Sequence, residues 1–407
     1  MRNSCMLGIS IIFLLVTSQF LMTHVKIGAM NRSEDTYFFT QRVTLKNRGS
    51  ENYLLSDVDR RFLSTGLFIN DSWQTVSIQP ANLTYPIERF DVDMDGNGVA
   101  LLKVPDSVPT QASITITVSF RISLRSREAP NLDYDRSWEL HEIDPRLIKE
   151  YCGSIGVWKY DEWKYIGVIA RRVQGNETNV LKVVESLIEW TGSNIFTAGS
   201  SESLDPLPLY PNETFSYENF LKGEKGRGDC DDKANFLIAL CRSLGVPAYL
   251  QIGFVHGSWF GGKKEFWNGR LIYDQKELGG HGWAAVFVPP WGWLPVDMTL
   301  GYSSNRPRDA VEKAAVYTYP TVLYQIIKSG DYVYDWTVLK RRLNDADLSI
   351  YVEESIRKQI VEKREPIGER NGWLSRIAIF LIDIGIDTAV AVRWKRKLRR
   401  SVKHRSV

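Results

Sequence analysis

The sequence predicts an α+β protein with an N-terminal antiparallel β-sandwich, a mixed helix-and-strand domain after it, and a C-terminal helical tail. Residues 112–124 alternate apolar and polar side chains, as expected of a strand with one buried face. Residues 179–190 instead place Val180, Val183 and Leu187 at helical spacing. The chain of 407 residues is longer than one ordinary core and suits two domains with appendages.

The composition is that of a folded protein without a nucleic-acid-binding surface. Apolar residues make up 43% of the chain and charged residues 24%, so extensive disorder is not expected. The net charge is only +3, and much of it lies in the last dozen residues. The body of the protein therefore lacks a broad basic face, and we predict no nucleic-acid partner.

Residues 1–30 are predicted to be a secretory signal or a membrane anchor. An apolar stretch from Met6 to Met22 follows Arg2 and precedes polar residues. No small-x-small cleavage site follows, so an uncleaved anchor is favoured, and a buried core helix is the alternative. Five Asn-x-Ser/Thr sequons support export; they are at Asn31, Asn70, Asn82, Asn176 and Asn212. The sequence thus predicts a membrane-anchored, extracytoplasmic glycoprotein at the cell surface.

Residues 31–128 are predicted to form the β-sandwich. The alternating runs that support it are 38–45, 73–78, 99–104 and 112–124. Between two of them lies Asp91-Val-Asp-Met-Asp-Gly-Asn-Gly98, which fits a tight hairpin. The same octet is spaced like the start of a calcium loop, but Leu102 stands where a bidentate Glu is needed, so a plain hairpin is favoured.

Residues 129–149 are predicted to be a linker, and residues 150–330 a second, catalytic domain. The linker contains Pro130 and Pro145. The second domain contains a helix at 179–190, another at 229–244, and strands at 249–255, 283–288 and 293–296.

Residues 331–407 are predicted to be a C-terminal extension with an amphipathic basic helix. A charged helix is expected from Asp347 to Glu365, and a second helix from Trp373 to Arg400. Asp383 and Asp387 interrupt the apolar face of the second helix, so it is expected to lie at a membrane interface rather than cross the bilayer. The alternative is a helix packed on the protein with a solvated basic end.

Cys230 is the candidate nucleophile. Gly226 and Gly228 precede it, and Asp229 is a suitable N-cap that can form a capping pair with Asp232, so Cys230 falls in the first turn of a helix. The helix dipole there favours a thiolate, while the neighbouring aspartates oppose it. Of the other cysteines, Cys152 and Cys241 are left open as a disulfide pair or as two buried thiols, with Cys241 favoured as a core residue.

His281 and Asp297 are the candidate partners of Cys230. His281 directly precedes a predicted strand, and Asp297 ends the next one. Two adjacent antiparallel strands joined by residues 289–292 would set these side chains beside each other, where the carboxylate can fix the imidazole tautomer.

These motifs resemble the transglutaminase-like superfamily of papain-related thiol enzymes. The chain has, in the family's order, Gly228-Asp-Cys-Asp-Asp-Lys-Ala234, His281-Gly-Trp283 and Asp297-Met-Thr299. The resemblance covers roughly residues 150 to 320, and the layout is similar to membrane-anchored prokaryotic members with an N-terminal β domain. Ala285 and Met298 depart from the Glu and Pro common in the family.

The resemblance implies a papain-like fold and acyl transfer on a peptide or glutamine-type amide, with Cys230 as nucleophile, His281 as proton carrier and Asp297 as its orienter. A protein or peptide substrate is expected, and no metal or organic cofactor. Peptidase, amidase and transglutaminase remain open, because the sequence does not show whether water or an amine resolves the acyl-enzyme. The alternative is a non-catalytic interaction module that uses the fold as a binding groove.

Overall fold

One long mixed sheet organises the part of the chain that the structure describes. The computed structural model describes residues 34–197, 207–300, 306–317 and 319–359. Its strands are β1 (Glu34–Asn47), β2 (Tyr53–Leu54), β3 (Thr65–Gly66), β4 (Gln74–Ile78), β5 (Ile87–Val92), β6 (Gly98–Leu102), β7 (Ser107–Val108), β8 (Ser113–Arg125), β9 (Ile195–Thr197), β10 (Gly226–Gly228), β11 (Ala248–Phe266), β12 (Leu271–Val288), β13 (Gly292–Val296), β14 (Thr321–Ile327) and β15 (Leu348–Lys358).

Helices cover the sheet. They are α1 (Asp57–Phe62), α2 (Pro145–Tyr151), α3 (Tyr165–Gln174), α4 (Val180–Asn194), α5 (Pro211–Thr214), α6 (Tyr217–Leu221), α7 (Cys230–Ser243), α8 (Asp309–Val316) and α9 (Tyr332–Asp345). The α+β class expected from the sequence is therefore confirmed.

The main sheet has the strand order β14-β11-β12-β15-β1-β8-β4, and β13 also pairs with β12. Its pairings are antiparallel except between β12 and β15, which run parallel. A smaller antiparallel sheet, β3-β6-β5, comes from the N-terminal third of the chain. The main sheet carries β12 and β13, which hold His281 and lead directly into Asp297.

Two hydrophobic clusters stabilise this arrangement. The first, the helical core, joins α3, α4 and α7 to β11–β13 and includes Ile166, Leu187, Leu237, Ala284 and Val296. The second, the strand core, draws apolar side chains from β1 and β8 of the main sheet, from the small β3-β6-β5 sheet and from β15; among its members are Phe39, Leu102, Phe120 and Ile350. The strand core lies between the N-terminal strands of the main sheet and the small sheet, which agrees with the sandwich expected there.

The main sheet passes through the predicted domain boundaries. β15, from the predicted C-terminal extension, lies between β1 and β12 and pairs with both. The described residues as far as Lys358 accordingly form one compact unit. The division of this unit into segments 31–128, 129–149 and 150–330 stays a prediction.

The charged helix expected from Asp347 to Glu365 is wrong for residues 348–358, which form β15. Leu348, Ile350, Val352, Glu354 and Ile356 are all buried at period two, and the side chains that alternate with them are more exposed. This alternation lets one face join the strand core while the other meets solvent. The many charged residues in this segment led to the helix prediction, although its buried positions alternate as they do in a strand.

The octet at 91–98 forms the tip of a hairpin between β5 and β6, as favoured over a calcium loop. Buried Asp95 accepts hydrogen bonds from the backbone N–H and hydroxyl of Ser329, at 2.7 and 2.9 Å. The Asn97 side chain pairs with the backbone of Ile326 in both directions, at 2.8 Å each. The octet therefore attaches the hairpin to the end of β14 and to the turn that follows it.

Within the described ranges, no helix combines the length and the apolar character needed to cross a membrane. The predicted anchor at 1–30 and the predicted basic helix at 373–400 lie outside the described residues.

Candidate active site

Cys230 is the first residue of α7 and is partly exposed at the helix tip. Asp229 caps the helix, and its backbone N–H donates to Asp232 at 3.1 Å, so the predicted capping pair is confirmed. Gly228 has to be glycine, because a Cβ there would lie 2.6 Å from Asp232 Cβ. Since residues 232–242 of α7 are all buried, the helix is a rigid mount for the thiol.

His281 and Asp297 form a buried hydrogen-bonded pair. β12 and β13 are antiparallel neighbours with Ala284 opposite Val296, so the two side chains meet just beyond the end of the ladder. His281 Nε2 lies 2.7 Å from Asp297 Oδ2, and each residue is 8% exposed. Engagement of Nε2 leaves Nδ1 as the ring nitrogen available to another group. The side-by-side arrangement expected of these residues is what the structure shows.

Asp297 is fixed from both sides. Its Oδ1 accepts from the backbone N–H of Thr299 at 2.8 Å, from the Thr299 hydroxyl at 2.7 Å and from Leu300 N–H at 3.1 Å. Burial raises the pKa of Asp297, but the hydrogen bond and charge of His281, together with the Thr299 donors, outweigh burial and hold that pKa below its usual value. Asp297 therefore stays a carboxylate that can orient the imidazole.

The tip of α7 touches β12 beside His281. A Cβ on Gly282 would lie 2.6 Å from Asp231 Cβ and 3.2 Å from Asp231 Cα. The Gly282 N–H also lowers the pKa of the Cys230 thiol, as a nearby donor does. The residue next to His281 thus packs against Asp231, the neighbour of Cys230. The structure brings the helix tip and the histidine strand together, as the sequence motifs predicted.

Cys230 is a protonated thiol in this arrangement. Burial raises its pKa well above the usual value, Asp229, Asp231 and Asp297 raise it further, and the Gly282 N–H lowers it. Burial, together with the opposing aspartates expected from the sequence, therefore keeps the sulfur protonated. A reaction at this sulfur needs a base for the thiol proton, and the Asp297 hydrogen bond to Nε2 leaves the His281 Nδ1 lone pair available for such a role.

The segment that contains this geometry matches a known family. Residues 168–298, which include Cys230, His281 and Asp297, match the model described as the transglutaminase-like superfamily. These residues are a transglutaminase-like core domain. The match supports a cysteine-based enzyme.

Other comparisons extend over different shares of the chain. The uncharacterized protein YebA of Bacillus subtilis (strain 168) is 27% identical over 140 residues, which are 34% of this chain and 18% of that protein, so the alignment spans less than a fifth of YebA. A solved structure from Cytophaga hutchinsonii, described as a proposed cysteine protease, is 13% identical and covers 81% of this chain and 92% of its own, with a TM-score of 0.43. Red sea bream transglutaminase is 12% identical, over 77% of this chain and 63% of its own, with a TM-score of 0.29.

Lys233 is a buried cation that sequence reasoning missed in the transglutaminase-like core. It is 3% exposed, and its Nζ donates to the Thr197 hydroxyl at 3.1 Å and to the Met298 carbonyl at 3.3 Å. Burial lowers the pKa of Lys233, and the charge of Asp297 raises it. Lys233 therefore ties α7 to β9 and to the residue after Asp297. Its position one helical turn after Asp229, on the buried face of α7, was the available signal.

A second group missed from the sequence lies on the other side of Cys230. Asp231 Oδ1 lies 3.8 Å from Cys230 Sγ, and Asp231 Oδ2 accepts a 2.8 Å hydrogen bond from the Tyr332 hydroxyl. Asn235 Nδ2 donates to the same hydroxyl at 2.6 Å. Tyr332 belongs to α9, outside the family match, and no sequence motif linked it to the site.

The structure also describes the other two cysteines and a group of side chains that could bind a metal ion. Cys152 and Cys241 are both buried and free, which resolves the alternatives left open for them in favour of two thiols. Burial raises the pKa of the Cys152 thiol to about 12. Among the described residues, Asp229, Cys230 and Asp231 could together hold a metal, with ligand atoms within 4.8 Å of one another. The absence of a metal or cofactor requirement stays a prediction.

Proposed function

We propose that the protein is a thiol acyl-transfer enzyme that acts on peptide or glutamine-type amide bonds, with Cys230 as nucleophile, His281 as general base and acid, and Asp297 as orienter. The observation that carries this proposal is the buried His281–Asp297 pair, at 2.7 Å, on the strand whose next residue, Gly282, packs against Asp231, the neighbour of Cys230. The family match over residues 168–298 supports the same chemistry.

The reaction begins from the neutral thiol. His281 Nδ1 takes the S–H proton while the sulfur bonds to the amide carbonyl carbon, and the backbone N–H of Cys230, unpaired in the first helical turn, meets the oxyanion. His281 then returns the proton to the amine as the C–N bond breaks, which leaves a thioester on Cys230. Water or a second amine attacks the thioester, and its proton goes back through His281.

An aromatic surface near His281 is suited to the substrate's side chains. Trp259 is 68% exposed, and its ring centroid lies 5.7 Å from that of Phe260 and 5.8 Å from that of Tyr319. Phe260 packs beside Gly279, where an added Cβ would lie 3.4 Å from its ring. Gly279 precedes His281 by two positions, so a peptide bound at the thiol can extend over this surface.

We also propose a location for the protein, at the membrane and outside the cytoplasm. The apolar segment at 6–22 and the sequons support a membrane-anchored protein outside the cytoplasm. The sequon residues Asn70, Asn82 and Asn176 are all exposed. Protease treatment of intact cells tests this: the ectodomain is degraded if it lies outside, whereas full protection until lysis would contradict the location.

The second candidate function is a non-catalytic binding module. The protonated state of Cys230 and the exposed Trp259 favour it. A binding module needs no reactive sulfur, so the two candidates differ in the reactivity of Cys230.

The test is alkylation of the full chain by iodoacetamide, with the modified cysteine identified by peptide mass spectrometry. If the protein is an enzyme, iodoacetamide should alkylate Cys230 faster in the folded chain than in the unfolded chain at neutral pH. His281→Ala should lower the folded rate to the unfolded one. His256→Ala is the matched control, since His256 is also a strand histidine, on β11, but bonds to the Glu277 carbonyl at 2.8 Å. A folded-state rate no higher than the unfolded rate would favour the binding module.

A further inference from the structure

A stack of aromatic rings lies against the His281 imidazole. The centroid of the Trp283 ring lies 5.6 Å from that of the imidazole, with 24° between the two planes. The Tyr317 ring meets Trp283 edge-on, with the centroids 6.0 Å apart and the planes at 79°. Trp283 is 1% exposed, and its Nε1 donates a 2.6 Å hydrogen bond to Gln251 Oε1. The imidazole therefore rests on a ring that other side chains hold in place.

The stack restrains the imidazole in a way that Asp297 alone does not. The 2.7 Å hydrogen bond to Asp297 fixes the position of His281 Nε2. One bond fixes one atom, and the terminal torsion of a histidine side chain has broad minima, so the ring can still tilt about that bond. A stacked neighbour opposes the tilt, because it favours nearly parallel planes. The direction of Nδ1 therefore depends on Trp283 as well as on Asp297.

The helix α8 connects these two supports of His281. Near its start, the Ala310 carbonyl accepts a 2.9 Å hydrogen bond from the backbone N–H of Asp297. At its end, Tyr317 is the C-cap residue and has a φ of 46°, in the left-handed region that is costly for a residue other than glycine. Such a conformation persists only where the surroundings enforce it. The end of α8 thus holds the Tyr317 ring beside Trp283 at a cost to the backbone.

Arg127, which follows β8, lies against the same tyrosine ring. Its guanidinium carbon is 4.1 Å from the centroid of Tyr317 and 5.7 Å from that of Trp73. The Arg127 side chain is 14% exposed and pairs with Asp71 at 3.8 Å. A cation that is largely removed from water contributes more to a ring contact than an exposed one does. The N-terminal part of the chain therefore reaches the stack that supports His281.

We propose that Tyr317 is a positioning residue that acts on His281 through Trp283, and that Arg127 holds Tyr317 in this stack. The proposal rests on the proposed acyl-transfer function. Neither residue exchanges a proton or forms a bond in the reaction, since the thiol proton moves only to His281 Nδ1. Loss of the Tyr317 ring leaves the imidazole bound to Asp297 but freer to tilt. Fewer of its orientations then accept the proton, so the thiol reacts more slowly.

The test is the rate at which iodoacetamide alkylates Cys230 in the full chain, measured with and without His281. Tyr317→Leu should lower this rate about tenfold, the upper end of what one aromatic contact contributes. The same substitution in His281→Ala should lower it no further, because a residue that acts through His281 has no effect once the imidazole is gone. Tyr317→Phe keeps the ring and should recover the wild-type rate.

Tyr151→Leu is the matched control for the loss of a tyrosine ring. The Tyr151 ring also packs on a tryptophan, Trp293, at 4.7 Å, and also has a cation beside it, with Lys328 Nζ 5.6 Å from its centroid. Its contacts do not include His281 or Trp283, so Tyr151→Leu should alkylate at the wild-type rate.

Two results would overturn the inference while fast alkylation of the wild type still supports the enzyme: no loss of rate in Tyr317→Leu, or an equal loss with and without His281. A wild-type rate no higher than that of the unfolded chain would contradict the proposed function, and this inference with it. If Tyr317→Leu does not fold, as judged by thermal unfolding, Arg127→Met takes its place. A loss of about threefold that requires His281 supports the inference, and no loss, or one independent of His281, overturns it.

Discussion

Replacement of Gly282 by alanine would separate α7 from the histidine strand without touching a reacting atom. The new methyl group would lie 2.6 Å from Asp231 Cβ, whereas non-bonded carbons prefer about 3.5 to 4.0 Å. The tip of α7 must therefore move by about 1 Å away from β12. This movement carries Cys230 away from the Gly282 N–H and from His281.

The expected loss is larger for the reaction than for the fold. A misplacement of about 1 Å at a reacting centre costs about 100-fold in rate, whereas overpacking of this size costs about 1 to 3 kcal/mol of stability. The gain in strand propensity from glycine to alanine offsets about 0.5 to 1 kcal/mol of that. Gly282→Ala should therefore remain folded at room temperature and react about 100-fold more slowly.

The assay is the alkylation rate of Cys230 together with thermal unfolding, and Gly280→Ala is the control on the same strand. A Cβ on Gly280 has only one neighbour within reach, Gln275 Nε2 at 4.0 Å, so Gly280→Ala should match the wild type in rate and stability. A Gly282→Ala variant with wild-type reactivity would refute the argument that contact between α7 and β12 sets the site. Equal losses in both variants would show that the strand, not the contact, was disturbed.

Three further predictions concern the fold and the substrate surface. Arg242 is 2% exposed and donates hydrogen bonds to the carbonyls of Gly153, Ala248 and Lys328. Arg242→Met should therefore lower the free energy of unfolding, measured by urea titration, by about 3 kcal/mol, and a loss under about 1 kcal/mol would contradict this. Burial raises the pKa of Asp59, but the Arg342 and Ser56 hydrogen bonds outweigh burial and lower that pKa. The stability that Asp59 contributes is therefore present above its unfolded pKa and is lost as the pH falls through the folded value. Asp59→Asn should flatten the acid side of the plot of unfolding free energy against pH, and an unchanged plot would disprove the assignment. Trp259→Ala should raise KM for peptides with apolar side chains by about tenfold with kcat unchanged, and an unaltered KM would exclude the aromatic surface from binding.

The local patterns around the reacting groups were predictable because they obey short-range rules. A glycine loop, a capping pair and a buried helical face indicate where Cys230 lies, and two strands joined by a tight turn bring His281 beside Asp297. The protonation state of Cys230 was harder to predict. It depends on how far the sulfur and the nearby carboxylates are buried, and the sequence does not give that burial.

Long-range features were not predictable in the same way. β15 pairs in parallel with β12 and antiparallel with β1, and no local signal specifies partners so distant along the chain. Its charged residues also concealed the period-two pattern. Tyr332 reaches Asp231 from a helix about one hundred positions away, so only the folded arrangement of α9 against α7 reveals it. The hydrogen bond from the Ser329 hydroxyl to Asp95 was not predicted, for the same reason.

Transfer of an acetyl group from p-nitrophenyl acetate to Cys230 measures the central claim most directly. Intact-protein and peptide mass spectrometry on the wild type should detect a single acetyl group on Cys230 within the first turnover, and none in Cys230→Ala. His281→Ala should slow its formation by about 1000-fold or more, as loss of a general base does. Acetylation of other residues but not of Cys230, or acetylation of Cys230 at an equal rate in His281→Ala, would contradict the account.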